Sequence, residues 1–155
     1  MKQTVQLDRI QESMKPGTGS RDGFLGNDRR NLIDILTEDD AAVKRLDLSH
    51  EQISARMRFF RDTGFKYECE FVSVEPHFEV AVASFRGRLC CPFNDTRIVR
   101  KTNVTVRNLR LGQTITYTDL NIHMIEQHGF YEGKGAVYRL EPEDLAEILE
   151  IKPGD

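Results

Sequence analysis

Hydrophobic spacing changes from helical to strand period near Gly64, and that switch constrains the fold more than any other feature. Before it, Ile53, Met57 and Phe60 recur at the spacing of one helix face. After it, Tyr67, Cys69 and Phe71 alternate with Lys66, Glu68 and Glu70, as on a half-buried strand. Phe78, Val80 and Val82 alternate again before Pro92 and Asn94-Asp95 break the run. Residues 97–108 form a third alternating segment, with Val104 and Val106 on one side and Thr105 and Arg107 on the other. A turn at 109–112 then returns the chain through 114–117. Short strands joined by tight turns predict an antiparallel meander over 65–118.

Helical pattern returns around residue 119. Thr118 or Asp119 can cap a helix that stops at Gly129. A glycine loop follows, then a short fifth strand at 136–140, and Pro142 opens a last helix with Leu145, Ile148 and Leu149 on its stripe. The first 27 residues read as extended and loop-rich, with a weak strand-or-helix signal at 4–10. Residues 28–64 read as three helices: one ending at Leu36, one capped by Thr37, and one opened by the capping box of Ser49 and Gln52. Arg58 and Asp62 are spaced to pair on the third. The expected architecture is α+β in one domain over 1–155. An N-terminal helical segment and a C-terminal helix pack on an antiparallel sheet of four or five strands.

Composition narrows the function classes. A net charge of −3 does not advertise a nucleic-acid surface, no apolar run reaches membrane-span length, and the first residues are too polar for a signal peptide. Three cysteines are expected to be reduced thiols in a cytoplasmic protein. The charge is uneven, however. Residues 86–110 carry Arg86, Arg88, Arg97, Arg100, Lys101, Arg107 and Arg110 against Asp95 alone, whereas 111–155 is acidic. Either the two segments neutralise each other on packing, or the basic one is a surface for an anionic ligand or partner.

The richest stretch for chemistry is 118–140. His123 and His128 suggest metal, but residues five apart point roughly 140° apart on a helix, so the pair is not expected to share an ion. A packed or capping His128 and a solvated His123 are the plainer expectation. In GFYEGKG, Gly133 and Gly135 flank Lys134 and can present its charge and open N–H groups to an anion. The spacing is not that of a phosphate-binding Walker loop, and a tight turn is the competing reading. Cys90-Cys91-Pro92 places adjacent thiols on opposite faces of a strand, and core packing is the default for Cys69 and at least one of that pair. Cys91 could act as a metal ligand or nucleophile only if the fold brings it to His123 or His128. The acid pairs Asp22 with Asp28 and Glu126 with Glu132 are not singled out by anything. Phe-Gly spacing in DGFLGND echoes HGFYEGKG, without matching flanks.

Three functions follow in order. The first is a binding or regulatory module using 119–135, with Lys134, Gly133, Gly135, His128 and His123, for a small anionic ligand or protein partner. The second is a metal protein or Cys/His enzyme built on Cys91, His123 and His128. The third is helix-turn-helix-like DNA binding through 38–61, which the acids Glu38, Asp39, Asp40 and Glu51 oppose. No cofactor is specified by the residues, and whether the chain is an enzyme is open.

Overall fold

The computed structural model describes residues 2–17 and 23–154. Its elements are α1 (Val5–Met14), α2 (Leu32–Arg45), α3 (His50–Phe65), β1 (Val72–Val74), β2 (Phe78–Cys90), β3 (Ile98–Asn108), β4 (Gln113–Thr118), α4 (Asp119–His128) and α5 (Pro142–Ile148). The strands form an antiparallel meander in the order β1-β2-β3-β4, and the helices flank it in an α+β arrangement. No helix among the described residues is long and apolar enough to cross a membrane.

The period-two pattern sets the core face. Val80 pairs with Val106 and Val82 with Val104, so these side chains stand on one side of the sheet. Ile53, Met57 and Phe60 of α3, Ile122 and Ile125 of α4, and Leu145 and Leu149 pack there in one apolar cluster. Gly64 lets α3 approach closely: a Cβ there would stand 2.8 Å from Val82 Cγ2. Tyr117 is fully buried and gives its hydroxyl proton to the Met57 carbonyl at 2.8 Å, so its polar end is satisfied inside the core. The opposite face is polar, with Thr105 and Thr116 hydroxyls 3.2 Å apart. A second apolar cluster joins Ile10, Met14, Leu25, Leu32 and Ile35 to Leu120, Met124 and Phe130, and Cys91 belongs to it.

Several local expectations differ from the structure. Residues 5–14 are helical, and the Thr4 hydroxyl caps them by accepting from the Leu7 N–H. The break expected at Thr37 is absent, because its hydroxyl bonds back to the Ile33 carbonyl at 2.7 Å and α2 runs on to Arg45. Residues 66–71 turn rather than pair. Cys69 has φ 68° and is exposed, outside the core expected for it, and its N–H makes a single bond to the Val82 carbonyl. No fifth strand forms at 136–140. That segment runs beside β4 across a hollow of about 340 Å³, and its Leu140 N–H bonds instead to the Tyr131 carbonyl. Arg58 pairs with Glu126 rather than Asp62, which pairs with Arg61. Asp22 lies outside the described residues, so its pairing with Asp28 does too.

Candidate metal centre

β2 and β3 outrun their neighbours. β1 pairs only with residues 78–80 of β2, and β4 only with 103–108 of β3. Beyond those limits the two strands continue as a two-stranded ribbon to Cys90 and Ile98, with a bulge between Phe85 and Arg88. Leu89 stands opposite Val99, and both pack on the second apolar cluster. That contact carries the ribbon tip, residues 91–97, onto α4.

The tip is a compact turn. The Cys91 N–H donates to the Arg97 carbonyl at 2.9 Å, and the Arg97 N–H donates to Asp95 Oδ1 at 3.0 Å. Asn94 and Thr96 adopt positive φ, 62° and 63°, to close it. Asp95 Oδ2 is thereby aimed at α4. It meets His123 Nε2 at 2.6 Å and His128 Nε2 at 2.7 Å. One ligand atom from each of Cys91, Asp95, His123 and His128 lies within 4.8 Å of the others.

The i,i+5 spacing converges for a reason that direction on a helical wheel does not contain. The two imidazoles leave opposite flanks of the helix, and Asp95 sits over the strip between them. His128 is the last helical residue, and Gly129 follows it at φ 61°. Its ring lies flat on Phe93, with centroids 4.1 Å apart and planes 8° from parallel. Phe93 in turn meets Phe130 edge-on at 5.4 Å. The ribbon tip therefore fixes the orientation of His128 as well as supplying two ligand-type atoms. Both imidazoles thus reach one carboxylate oxygen, a convergence that their i,i+5 spacing did not suggest.

The electrostatics fit a place for a cation. Burial pushes Asp95 up, but hydrogen bonds from His128, the Arg97 N–H, His123 and Cys91 outweigh it and hold the carboxyl well below the usual range. Burial pushes the Cys91 thiol up to about 12, a result the Phe93 N–H opposes and Asp95 reinforces. A buried thiol in that state is a poor nucleophile. A divalent cation inverts the balance, because coordination removes the thiol proton outright. Two imidazoles meet one carboxylate oxygen, where an ion would take the place of the protons they share with it.

Beside the cluster opens a cleft of about 640 Å³, lined by Arg58, Arg61, Arg97, Asp119, His123 and Glu126 among others. Arg58 pairs with Glu126 at 2.6 Å and Arg61 with Asp119 at 3.1 Å. Asp95 and His123 border this cleft, while Cys91 is buried behind them.

The glycine loop is built differently. The Gly133 N–H donates to the Phe24 carbonyl at 2.8 Å, and the Lys134 N–H to Asp28 Oδ2 at 3.0 Å. A Cβ on Gly135 would collide with the Asn27 side chain, and one on Gly26 with the backbone of Gly135 and Ala136. The two segments with echoing Phe-Gly spacing thus pack on each other, and their glycines serve that close approach. The Lys134 side chain stays exposed. Beneath the loop, Asn121 donates to buried Glu132 at 2.7 Å, and Arg139 makes a bidentate pair with buried Asp39 at 2.6 and 2.9 Å. Glu126 and Glu132 therefore serve different partners and form no acid pair.

Of the residues expected to matter, the fold unites Cys91, His123 and His128, and it sets Lys134, Gly133 and Gly135 apart in the loop packed on residues 24–28. Asp95 was missed, since Asn94-Asp95 reads as a strand breaker. The signal that could have found it is a Cys-x3-Asp turn between two strands, followed by a helix bearing two histidines. Compared with protein-family models, curated proteins and solved structures, the chain matches none of them.

Proposed function

We propose that this protein binds one transition-metal ion through Cys91, Asp95, His123 and His128, and that the ion fastens the ribbon tip to α4. The observation that carries this reading is the mutual approach, within 4.8 Å, of four ligand atoms drawn from two separate segments. One sulfur, two imidazole nitrogens and one carboxylate oxygen form a borderline-soft set of four, which suits tetrahedral zinc. Four protein ligands make a closed, structural coordination shell. The buried, proton-holding Cys91 supports a ligand role over a nucleophilic one.

A test begins with metal analysis of protein purified without chelator, followed by cobalt substitution. About one equivalent of zinc is expected, replaceable by cobalt with a thiolate-to-cobalt charge-transfer band that Cys91→Ser abolishes. Chelation should expose Cys91 to a thiol reagent that already reaches Cys69 and Cys90, both exposed. Absence of zinc and cobalt uptake would overturn the reading. The alternative module, with an anion or partner at 119–135, now rests on the exposed Lys134 side chain, because the Gly133 and Lys134 N–H groups bond within the protein.

A further inference from the structure

The arginines of the ribbon are not neutralised by the acidic C-terminal third. Among the described residues, only Arg110 of the seven basic residues in 86–110 reaches an acid of that third, Glu150, at 2.9 Å. The other C-terminal acids that make ion pairs serve cations elsewhere: Glu126 pairs with Arg58, Asp119 with Arg61 and Glu141 with Arg139. Among the described residues, no ion pair forms at Arg86, Arg88, Arg97, Arg100 or Lys101. More telling, Arg88 stands directly across from Arg100 in the ribbon. Like charges opposed on adjacent strands are unfavourable for folding, so they serve the isolated chain poorly and an anionic partner well.

Of these cations Arg97 lines the cleft beside α4, and Arg88 and Arg100 lie outside it on the ribbon. Ile98 shares the Arg88 and Arg100 face, since it pairs with Cys90 two residues along, and it also lines the cleft beside α4. Its side chain is exposed. The cleft adds Arg97, Arg58 and Arg61. Every cation on this path is an arginine, whose planar fork matches phosphate oxygens in pairs. Arg58 and Arg61 are already matched by Glu126 and Asp119, so Arg88, Arg97 and Arg100 carry the surplus. A concave path suits a narrow flexible chain. A single strand can bend from the ribbon into the cleft, which a flat membrane surface or a stiff duplex follows less well.

We propose that a single strand of nucleic acid lies along this path, its phosphates on Arg88, Arg100 and Arg97. This goes beyond metal binding and stands without it, although an ion holding the ribbon tip would also hold the path in shape. Binding is predicted to be independent of base sequence and steeply weakened by salt.

The test uses the full, metal-loaded chain and a fluorescein-labelled oligo-dT of about 15 nucleotides, within the span one small binding module covers. Fluorescence anisotropy at low salt should show binding. The Arg88→Ala/Arg100→Ala double variant should bind at least about 10-fold more weakly. It should flatten the log–log salt slope by roughly 1.4, at about 0.7 per phosphate. The double variant relieves a like-charge pair, so its melting temperature should hold or rise. Arg97→Ala provides a second, independent loss. No binding at low salt would overturn the proposal, as would an unaffected double variant, equal displacement by polyglutamate, tighter binding of duplex, or preference for anionic vesicles. Failure here with zinc still bound leaves the metal reading intact. A chain that takes up no zinc but loses oligonucleotide with the ribbon arginines sinks the metal reading alone.

Discussion

Asn121 and the histidines of α4 belong to two polar clusters that satisfy their atoms in opposite ways. On the inner side, Asn121 closes the helix with Thr118 and reaches Glu132, while Arg139 forks onto Asp39 and Glu141. Donors and acceptors there are matched, with Asn121 tying α4 to Glu132 and Arg139 tying α2 to Glu141. On the outer side, two imidazoles and a thiol converge on Asp95. The two imidazoles share one oxygen, Asp95 Oδ2, and all four groups are good metal ligands. The inner network is built from ion pairs and amides that close on one another, whereas the outer one gathers four ligand types, the arrangement the proposed metal would use.

The comparison is most easily broken at Arg139. Its guanidinium is nearly buried, and burial disfavours its charge while Asp39 and Glu141 hold it protonated. Arg139→Ala strands Asp39 in the interior, and the loss expected in urea unfolding is about 3–5 kcal/mol. Zinc stoichiometry of the protein that remains folded should not change. If stability barely moves, the inner cluster is not the tie described.

Glu132 sharpens the same side through pH. Burial is the largest influence and pushes its carboxyl from an ordinary 4.5 up to about 7, although the Asn121 N–H and the Arg139 charge pull it down. Between those values the native state holds a proton that the unfolded chain has released. Stability from this group therefore falls as pH rises from 4.5 to about 7, and is level above that. Glu132→Gln keeps an acceptor for Asn121 and cannot ionise. Its advantage over the parent should grow across the same window, to about 3 kcal/mol at about 1.36 kcal/mol per unit. An advantage independent of pH would mean that Glu132 is ionised throughout.

The outer cluster predicts the reverse pattern. His128→Ala should cost at least about 100-fold in cobalt affinity, or about 2.8 kcal/mol. Most of the stability effect should appear in the metal-loaded protein and little in the metal-free one. A large loss in the metal-free form would make the stack of His128 on Phe93 a packing device and nothing more.

These contrasts also separate what the residues disclose from what they conceal. The meander was legible because Val80, Val82, Val104 and Val106 stand on one face in the register that alternation dictates. The N-caps at Ser49 and Thr118 were legible because each is a local side-chain-to-backbone bond. Thr37 misled for the same reason in reverse, since a hydroxyl that can cap can also bond back inside a helix. Residues 136–140 misled because a short alternating run does not reveal whether a strand edge lies within pairing distance. The site was legible only in pieces. Cys91, His123 and His128 are ligand-type residues in the sequence, but their meeting depends on a long-range contact, Leu89 and Val99 on the second apolar cluster, that no local pattern encodes.

Lys134 offers the smallest effect and divides the remaining readings. Its N–H binds Asp28, and that bond survives any substitution that spares the backbone. Burial raises the Asp28 carboxyl, but the Arg30 guanidinium and the Lys134 and Arg30 N–H groups together bring it down to about 2. The loop is thus anchored through the main chain, and Lys134→Ala should change stability by less than about 0.5 kcal/mol. Zinc content and oligonucleotide affinity should be unaltered, because the side chain belongs to neither path. A selective loss of affinity for a small anion such as inorganic phosphate, with everything else unchanged, would restore the glycine loop as a ligand site. No change in any of these leaves GFYEGKG as the seam that closes residues 24–28 over the inner cluster.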